Sequence, residues 1–496
     1  MGRSPRLSAA ERKVWDAFPT GRTVELAPFA PSGNSPAGAN APSDGHAWGP
    51  ERTVRAQVIT SLLLGARDVA AGSAPAVRLT GARITGPLEI VGGTVEHDLS
   101  LSGCHLDEPI RLTGTTARTV RLTDCRLPGL TGGGMRVAGH LSLSGSYVTG
   151  AVRVPRAQFE SGLWLGGTKI VAGEDDDHAF YADAMVVDSG MYLRNGDITG
   201  GIRMYGARLN GEFSLENAKL RNPGKQALIA DGLVVEDSMR CTGDFLAQGC
   251  VRLRGARIGL LAIRGAIRSP DTPYALHASH MEVRELYLKP AEPIDGVVTL
   301  AHSTVNTLED NPATWPDKLR LNGLTYERLR GSGVSRRIEW VGRDPEGFRP
   351  QPYEQLAAWY RRDGNDALAR RAQLAKLRGR RHTEGTGARF WGRLLEFTVG
   401  YGYRPWLAAV WFAALLLVGT VAFGLNPPRP LKPDESPVFD SFAYSFDLLL
   451  PLSTFGQRDL FDPAGWTQGL AYGLIISGWI LATALIAGAT RVLRPS

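Results

Sequence analysis

Cysteine is scarce: Cys104, Cys125, Cys241 and Cys250 are the four among 496 residues. No two form a CxxC pair, so the usual dithiol and zinc spacings are missing. Three of them, Cys104, Cys125 and Cys241, fall in repeat slots described below. All four read as small buried residues of a reducing compartment, not as disulfides or metal ligands. The N-terminus, MGRSPRLSAAERK, has no apolar run, so a secretory signal is not expected. Arg6 stands where a myristoylation signal needs Ser or Thr. GxGxxG, GxxxxGK[ST], GxSxG and HExxH are all absent, which leaves no dinucleotide fingerprint, P-loop, nucleophile elbow or zincin helix. Charged residues make up only 21% against 43% apolar, which excludes a disordered chain. A mean hydropathy of −0.12 excludes a polytopic transporter.

Glycine, by contrast, is abundant, at 59 residues, without the every-third spacing of collagen. From about 76 to 340 the chain repeats apolar-x-apolar-x-Gly-small-x-apolar. The unit is clearest at Val77–Leu79–Gly81–Ala82–Ile84 and at Leu99–Leu101–Gly103–Cys104–Leu106. Unit starts at 77, 88, 99 and 110 are 11 apart. The register slips near 120–135 and resumes at Leu141, Val152 and Leu163. A 48-residue period is superimposed: FYADAMVV, LIADGLVV and LHASHMEV begin at Phe180, Leu228 and Leu276. Each follows a polar insertion, at 173–178, 221–226 and 269–273. Paired apolar residues two apart read as short strands with one face inward, and the glycines as bends. The fold class expected is mainly β: a right-handed parallel β-solenoid, two 11-residue units per coil. About 265 residues then give roughly 12 coils and a rod on the order of 55 Å long.

A solenoid needs covered ends. Residues 1–70 supply an N-terminal helical cap, from amphipathic segments at Ser8–Phe18 and Pro50–Leu64. Ser8 and Glu11 are spaced as a capping box, and a flexible loop is expected at 28–48. Trp315 is the candidate plug at the far end.

The net charge of +7 is concentrated. Residues 351–405 hold 11 basic and 5 acidic side chains. Within them, 350–383 read as a basic helical hairpin turning at Asp363–Asp366, followed by a juxtamembrane segment, 384–405. Two uncharged stretches, 406–425 and 465–490, are long enough for transmembrane helices. The basic bias then puts both termini and the solenoid in the cytoplasm, with 426–464 an extracytoplasmic loop carrying a short amphipathic helix. Arg370, Arg371, Lys376, Arg378, Arg380, Arg381, Arg389, Arg393 and Arg404 are the candidate anchors for anionic lipid headgroups. A solvated helix face is the plainer meaning. Nucleic acid is not expected, because no aromatic interleaving accompanies the charge.

TVGYG at 398–402 matches the potassium-filter string but precedes the first span, where no filter belongs. The order span, short helix, Thr-x-Gly-x-x-Asp, span resembles a two-span pore-loop channel, with Thr454, Phe455, Gly456, Gln457, Arg458 and Asp459 as a degenerate filter. That reading requires a homo-oligomer. Asp175–Asp176–Asp177–His178 reads as an acidic surface loop, and His277 and His280 as edge histidines, so no metal site is expected.

The strings at 6–22, 48–56, 79–86, 401–406 and 478–494 resemble a bacterial family labelled membrane-associated oxidoreductases, and the repeats resemble pentapeptide-repeat membrane proteins. The label implies redox chemistry with an unidentified cofactor, yet carries no motif that places a catalytic or cofactor residue. The favoured expectation is a membrane-anchored scaffold whose solenoid flank binds an unidentified protein partner. The oxidoreductase and the oligomeric pore or sensor are the alternatives.

Overall fold

The computed structural model describes residues 7–27, 42–69, 72–174, 176–331, 336–383, 406–432, 438–450 and 455–492. The chain divides into two units, Met1–Trp359 and Tyr360–Ser496.

The first unit is a parallel β-solenoid of about 12 turns. Each coil has four faces, and each face stacks one inward apolar residue on the next. The first face runs Val77, Leu99, Val120, Leu141, Leu163, Met191, Phe213, Met239, Leu261, Leu286, Leu308 and Leu329. The second contains Ile84, Leu106, Leu127, Val148, Ile170, Ile198 and Leu220. The third stacks Ile110, Leu130, Val152, Phe180, Ile202, Leu228, Val251 and Leu276. The fourth stacks Val95, Ala117, Val137, Phe159, Val187, Leu209 and Val235. These side chains are buried, so the core is a continuous column and each coil depends on its neighbours.

The 11-residue unit is therefore half a coil: starts at 77 and 99 lie on the first face, and 88 and 110 on the third. The slip near 120–135 is one residue lost from each of two consecutive half-coils, since Val120 and Leu130 follow Ile110 at intervals of 10, and Leu130 rather than residue 132 pairs with Ile110. The three polar insertions share one corner, between the second and third faces, on every second coil. From Lys219 onward, strands such as Lys219–Ile229 and Val234–Cys241 run around corners without a break.

Glycine recurs at the bends with φ near +60°, as at Gly103 and Gly145, because the left-handed turn is costly for other residues. The slot after it is the tight inner corner. Its hydroxyl or thiol donates to a carbonyl one coil earlier: Ser146 Oγ to Leu122 at 2.7 Å, Thr168 Oγ1 to Leu143 at 2.8 Å, Cys125 Sγ to Leu101 at 3.4 Å. Cys104 and Cys125 are thus corner residues.

Both ends are closed. Helix α1 (Ala9–Ala17) and helix α2 (Ala56–Leu63) form the N-terminal cap. Strands Val24–Glu25 and Thr53–Arg55 extend the first and second faces, in register with Leu79 and Ile84. The capping box of Ser8 and Glu11 is present. At the other end, Trp315 and Trp340 are buried beside helix α3 (Arg337–Val341). Helix α4 (Pro350–Arg362) follows, and Gln351 and Gln355 donate to the Leu324 and Tyr326 carbonyls of the last coil.

In the second unit, helix α5 (Asp366–Thr383) follows the turn at Gly364, where Asn365 N donates to Tyr360 O at 2.8 Å. Helices α6 (Trp406–Leu425), α7 (Ser441–Leu449) and α8 (Trp466–Val492) pack around Phe423, Tyr444, Leu448, Leu449, Ala471 and Leu474. Gly478 permits the closest approach: a Cβ there would sit 2.0 Å from the Leu449 carbonyl oxygen.

The expectation of two transmembrane helices is corrected here. Helices do form at both segments, but no helix among the described residues is long and apolar enough to cross a membrane. Helix α8 is interrupted by polar residues and glycines at Thr467, Gln468, Gly469, Tyr472, Gly473 and Ser477. The placement at a cytoplasmic membrane, with both termini inside, loses its basis with the spans.

Candidate functional site

Arg370, Arg371, Arg378 and Arg380 are exposed on α5, and Lys376 is half-buried. They do not converge on a pocket among the described residues. The side chain of Arg381 and all of Arg389, Arg393, Arg404 and Thr454 lie outside the described residues, as does 398–402. The remaining pore-loop candidates fold back on their own helix. The buried Asp447 carboxylate accepts from Phe455 N and Gln457 N, each at 2.8 Å. Gly456 takes φ +72°, Gln457 Nε2 donates to Val438 O, and Arg458 and Asp459 form a short 3-10 turn. This is a locally tied loop.

The histidines separate. His280 sits in a left-handed corner and stacks on His302 at 5.2 Å. His277 is half-buried on the third face, with its ring 4.4 Å from Tyr274 and Nε2 3.1 Å from Ser279 Oγ. Burial, reinforced by Arg254 and Arg252, lowers its pKa to about 4, so it is neutral near pH 7. Around it, Arg203–Asp183 and Arg252–Asp231 ion pairs cover the third face. Asp176 pairs with Arg153, which fits the surface-loop reading of the acidic run. Among the described residues no group of His, Cys, Asp and Glu could hold a metal ion.

Cys104 and Cys125 are buried corner groups on adjacent coils, whereas Cys241 and Cys250 lie in the strands Val234–Cys241 and Leu246–Arg252. Burial pushes the Cys241 and Cys250 thiols up to about 12 and about 11, so neither supplies thiolate at neutral pH.

A concavity lies on the flank of the solenoid, at the fourth face. It encloses about 730 Å³ and crosses five coils. One row is Arg208, Val234, Arg257, Glu282 and Thr304, each the register partner of the next. The second row, two residues along each strand, is Asn210, Glu236, Gly259, Arg284 and Asn306. Gly259 makes the floor: a Cβ there would lie 2.4 Å from Glu236 O and 2.5 Å from Arg284 Nη2. Arg284 Nη2 donates to Glu236 O at 3.0 Å, and Arg257 Nε is 3.2 Å from Glu282 Oε2. The lining alternates sign and offers amide and hydroxyl groups between the charges. Sequence reading missed these residues because outward positions vary freely between units, whereas the inward pattern repeats. The signal was in the 11-residue alignment, which puts Arg208, Arg257 and Glu282 in one column.

No family model, curated protein or solved structure matches the chain.

Proposed function

We propose that the solenoid is a protein-interaction scaffold and that the flank cleft holds an extended segment of a partner protein. The observation that carries this is the composition of the cleft. It presents both signs of charge with Asn210, Thr304 and Asn306 between them. Amides and a hydroxyl satisfy backbone N–H and C=O groups of a bound strand, and the charges select its side chains. Five coils at about 4.8 Å spacing span about 19 Å, room for about six extended residues. The exposed ion pair Arg257–Glu282 is weakly held and exchanges readily for a partner's charges.

The test is selection of ten-residue peptides from a random display library against the full chain, repeated on the Arg257→Glu/Arg284→Glu variant. Both side chains are exposed, so the variant keeps its core. Selected peptides are expected to share a charge pattern and to lose at least tenfold in affinity for the variant. Failure to select any peptide, or equal binding to the variant, refutes the proposal.

A further inference from the structure

The third face carries a different chemistry, and the 48-residue period makes it legible. In FYADAMVV and LIADGLVV the fourth residue is an aspartate, Asp183 and Asp231; in LHASHMEV it is Ser279. Each aspartate neutralises an arginine on the next coil. Asp183 accepts from Arg203 Nε at 3.0 Å, and Asp231 pairs with Arg252. Ser279 brings no charge to the corresponding slot. Beside it stands Arg254, exposed on the adjacent coil, where Gly255 N donates to Ser279 O at 2.9 Å. Arg203, Arg221, Arg252, Arg268 and Arg320 each meet a carboxylate. Arg254 forms no ion pair among the described residues, and Asp231 on its other side is already engaged by Arg252.

The surroundings add donors. His277 is the register partner of Arg252, and Arg320 lies two coils further along the same column. Arg320 is committed: Nη1 donates to Tyr274 Oη at 2.6 Å, and Nη2 lies 2.7 Å from Glu346 Oε1. The tyrosine so tethered has its ring 4.4 Å from that of His277. The other groups are open. Arg252 reaches Asp231 through Nη2, which leaves Arg252 Nε buried with no acceptor. Ser279 Oγ lies 3.1 Å from His277 Nε2. Burial first, then Arg254, Arg252 and Arg320 acting against Asp231, keep the imidazole neutral near pH 7. The slot is therefore electropositive without a protonated histidine.

We infer that Arg254, Arg252, His277 and Ser279 form a binding site for a phosphate monoester, seated beside Ser279 where the two earlier repeats place a carboxylate. The phosphoryl group supplies the missing negative charge. It carries about two charges at pH 7 and three acceptor oxygens. Guanidinium groups hold such an oxyanion by paired, charge-assisted hydrogen bonds. Arg254 gives up no partner to do so, and Arg252 Nε and Ser279 Oγ complete the set. A simple carboxylate has one oxygen fewer and half the charge. A nucleic-acid strand laid along the column would carry its further phosphates onto Asp231 and Asp183, so the site suits a single phosphoryl group. A bound dianion offsets the arginines and raises the proton affinity of the His277 ring, which makes that ring a gauge of occupancy.

The experiment titrates the full chain with inorganic phosphate, glycerol phosphate and N-acetylphosphoserine amide at constant ionic strength, with acetate and chloride as controls. Binding is read by calorimetry at pH 7, and the His277 ring by NMR of carbon-13 histidine-labelled protein, its signal assigned with His277→Gln. The phosphates are expected to bind and to raise the His277 midpoint by at least one pH unit, and the controls to do neither. Tighter binding of glycerol phosphate assigns the ester to a small molecule, and tighter binding of the phosphoserine amide to a phosphorylated side chain; either supports the inference. Arg254→Ser should weaken binding at least tenfold, and an unchanged melting temperature verifies that this exposed change leaves the fold intact. Ser279→Asp restores the carboxylate of the earlier repeats, so it should abolish binding and raise the His277 midpoint without ligand. Absence of binding by all three phosphates at millimolar concentration, equal binding of acetate, or undiminished binding by Arg254→Ser overturns the inference.

Discussion

The far end of the solenoid is held by a buried ion pair, and its removal has a calculable consequence. Asp310 belongs to the penultimate turn and Arg337 opens α3. Their side chains are 2% and 0% exposed. The pair is bidentate, Nη1 to Oδ2 and Nη2 to Oδ1, each at 2.6 Å. The guanidinium also lies 4.8 Å from the Trp340 ring and 5.4 Å from Trp315. Asp310→Ala removes the carboxylate and leaves a fully buried cation with only aromatic faces around it. Breaking one side of such a pair costs about 3–5 kcal/mol. Replacing both partners, as in Asp310→Leu/Arg337→Met, removes the uncompensated charge and should cost less than the single change. Solenoids open from their ends, so the loss should be local. Amide hydrogen exchange in Thr304–Asp310 and Thr325–Arg330 should accelerate by about two to three orders of magnitude in Asp310→Ala. Exchange in the coils around Leu141 should not change. An acceleration below tenfold would refute the reasoning, as would a double variant no better than the single.

Stability should fall in two acid steps. Glu11 accepts from Arg55 Nε at 2.6 Å and from Ser8 N, and these bonds lower its pKa from 4.5 to about 2. Its folded pKa lies below the unfolded value, so its contribution is complete above about pH 4.5 and is lost as pH falls towards 2. It is worth about 2–3 kcal/mol once solvent screening at the half-exposed Arg55 is allowed for. Denaturant titrations of Glu11→Gln should lack that step. His277 is lowered from 6.5 to about 4, so the unfolded chain binds its proton more readily and stability drops between those values. His277→Gln should flatten the upper step alone. All four cysteines should resist maleimide in the native protein and react once it is unfolded, because all are buried. Rapid labelling of Cys241 in native buffer would contradict its burial in the strand that pairs it with Ile263.

The solenoid was legible because its core pattern is one-dimensional. Val77, Leu88, Leu99 and Ile110 announce the half-coil, and Ser8 with Glu11 announces the first helix. The Asp363–Asp366 turn and the Trp315 plug followed from local chemistry in the same way. What stayed hidden depended on distant pairing. Glu11 finds Arg55 only after the cap folds, and Asp310 finds Arg337 across a whole coil. The membrane expectation failed for a different reason. Apolar runs at 406–425 and 465–490 were read by length and lack of charge alone; part of that apolarity packs among α6, α7 and α8 around Tyr444 and Leu448, while Leu417, Val421 and Trp479 stay exposed.

The same contrast governs where function sits on this molecule. Inward positions are fixed by stacking: a change at Leu141 or Phe159 is felt by two neighbouring coils, so those columns are constrained to apolar residues. Outward positions carry no such constraint, and coil stacking places residues some 22 positions apart side by side. A binding surface is therefore written as a column, one residue per coil, and no short motif reveals it. The flank cleft is such a column, of charges over a glycine floor at Gly259, which is not among the positive-φ glycines that bend the coil.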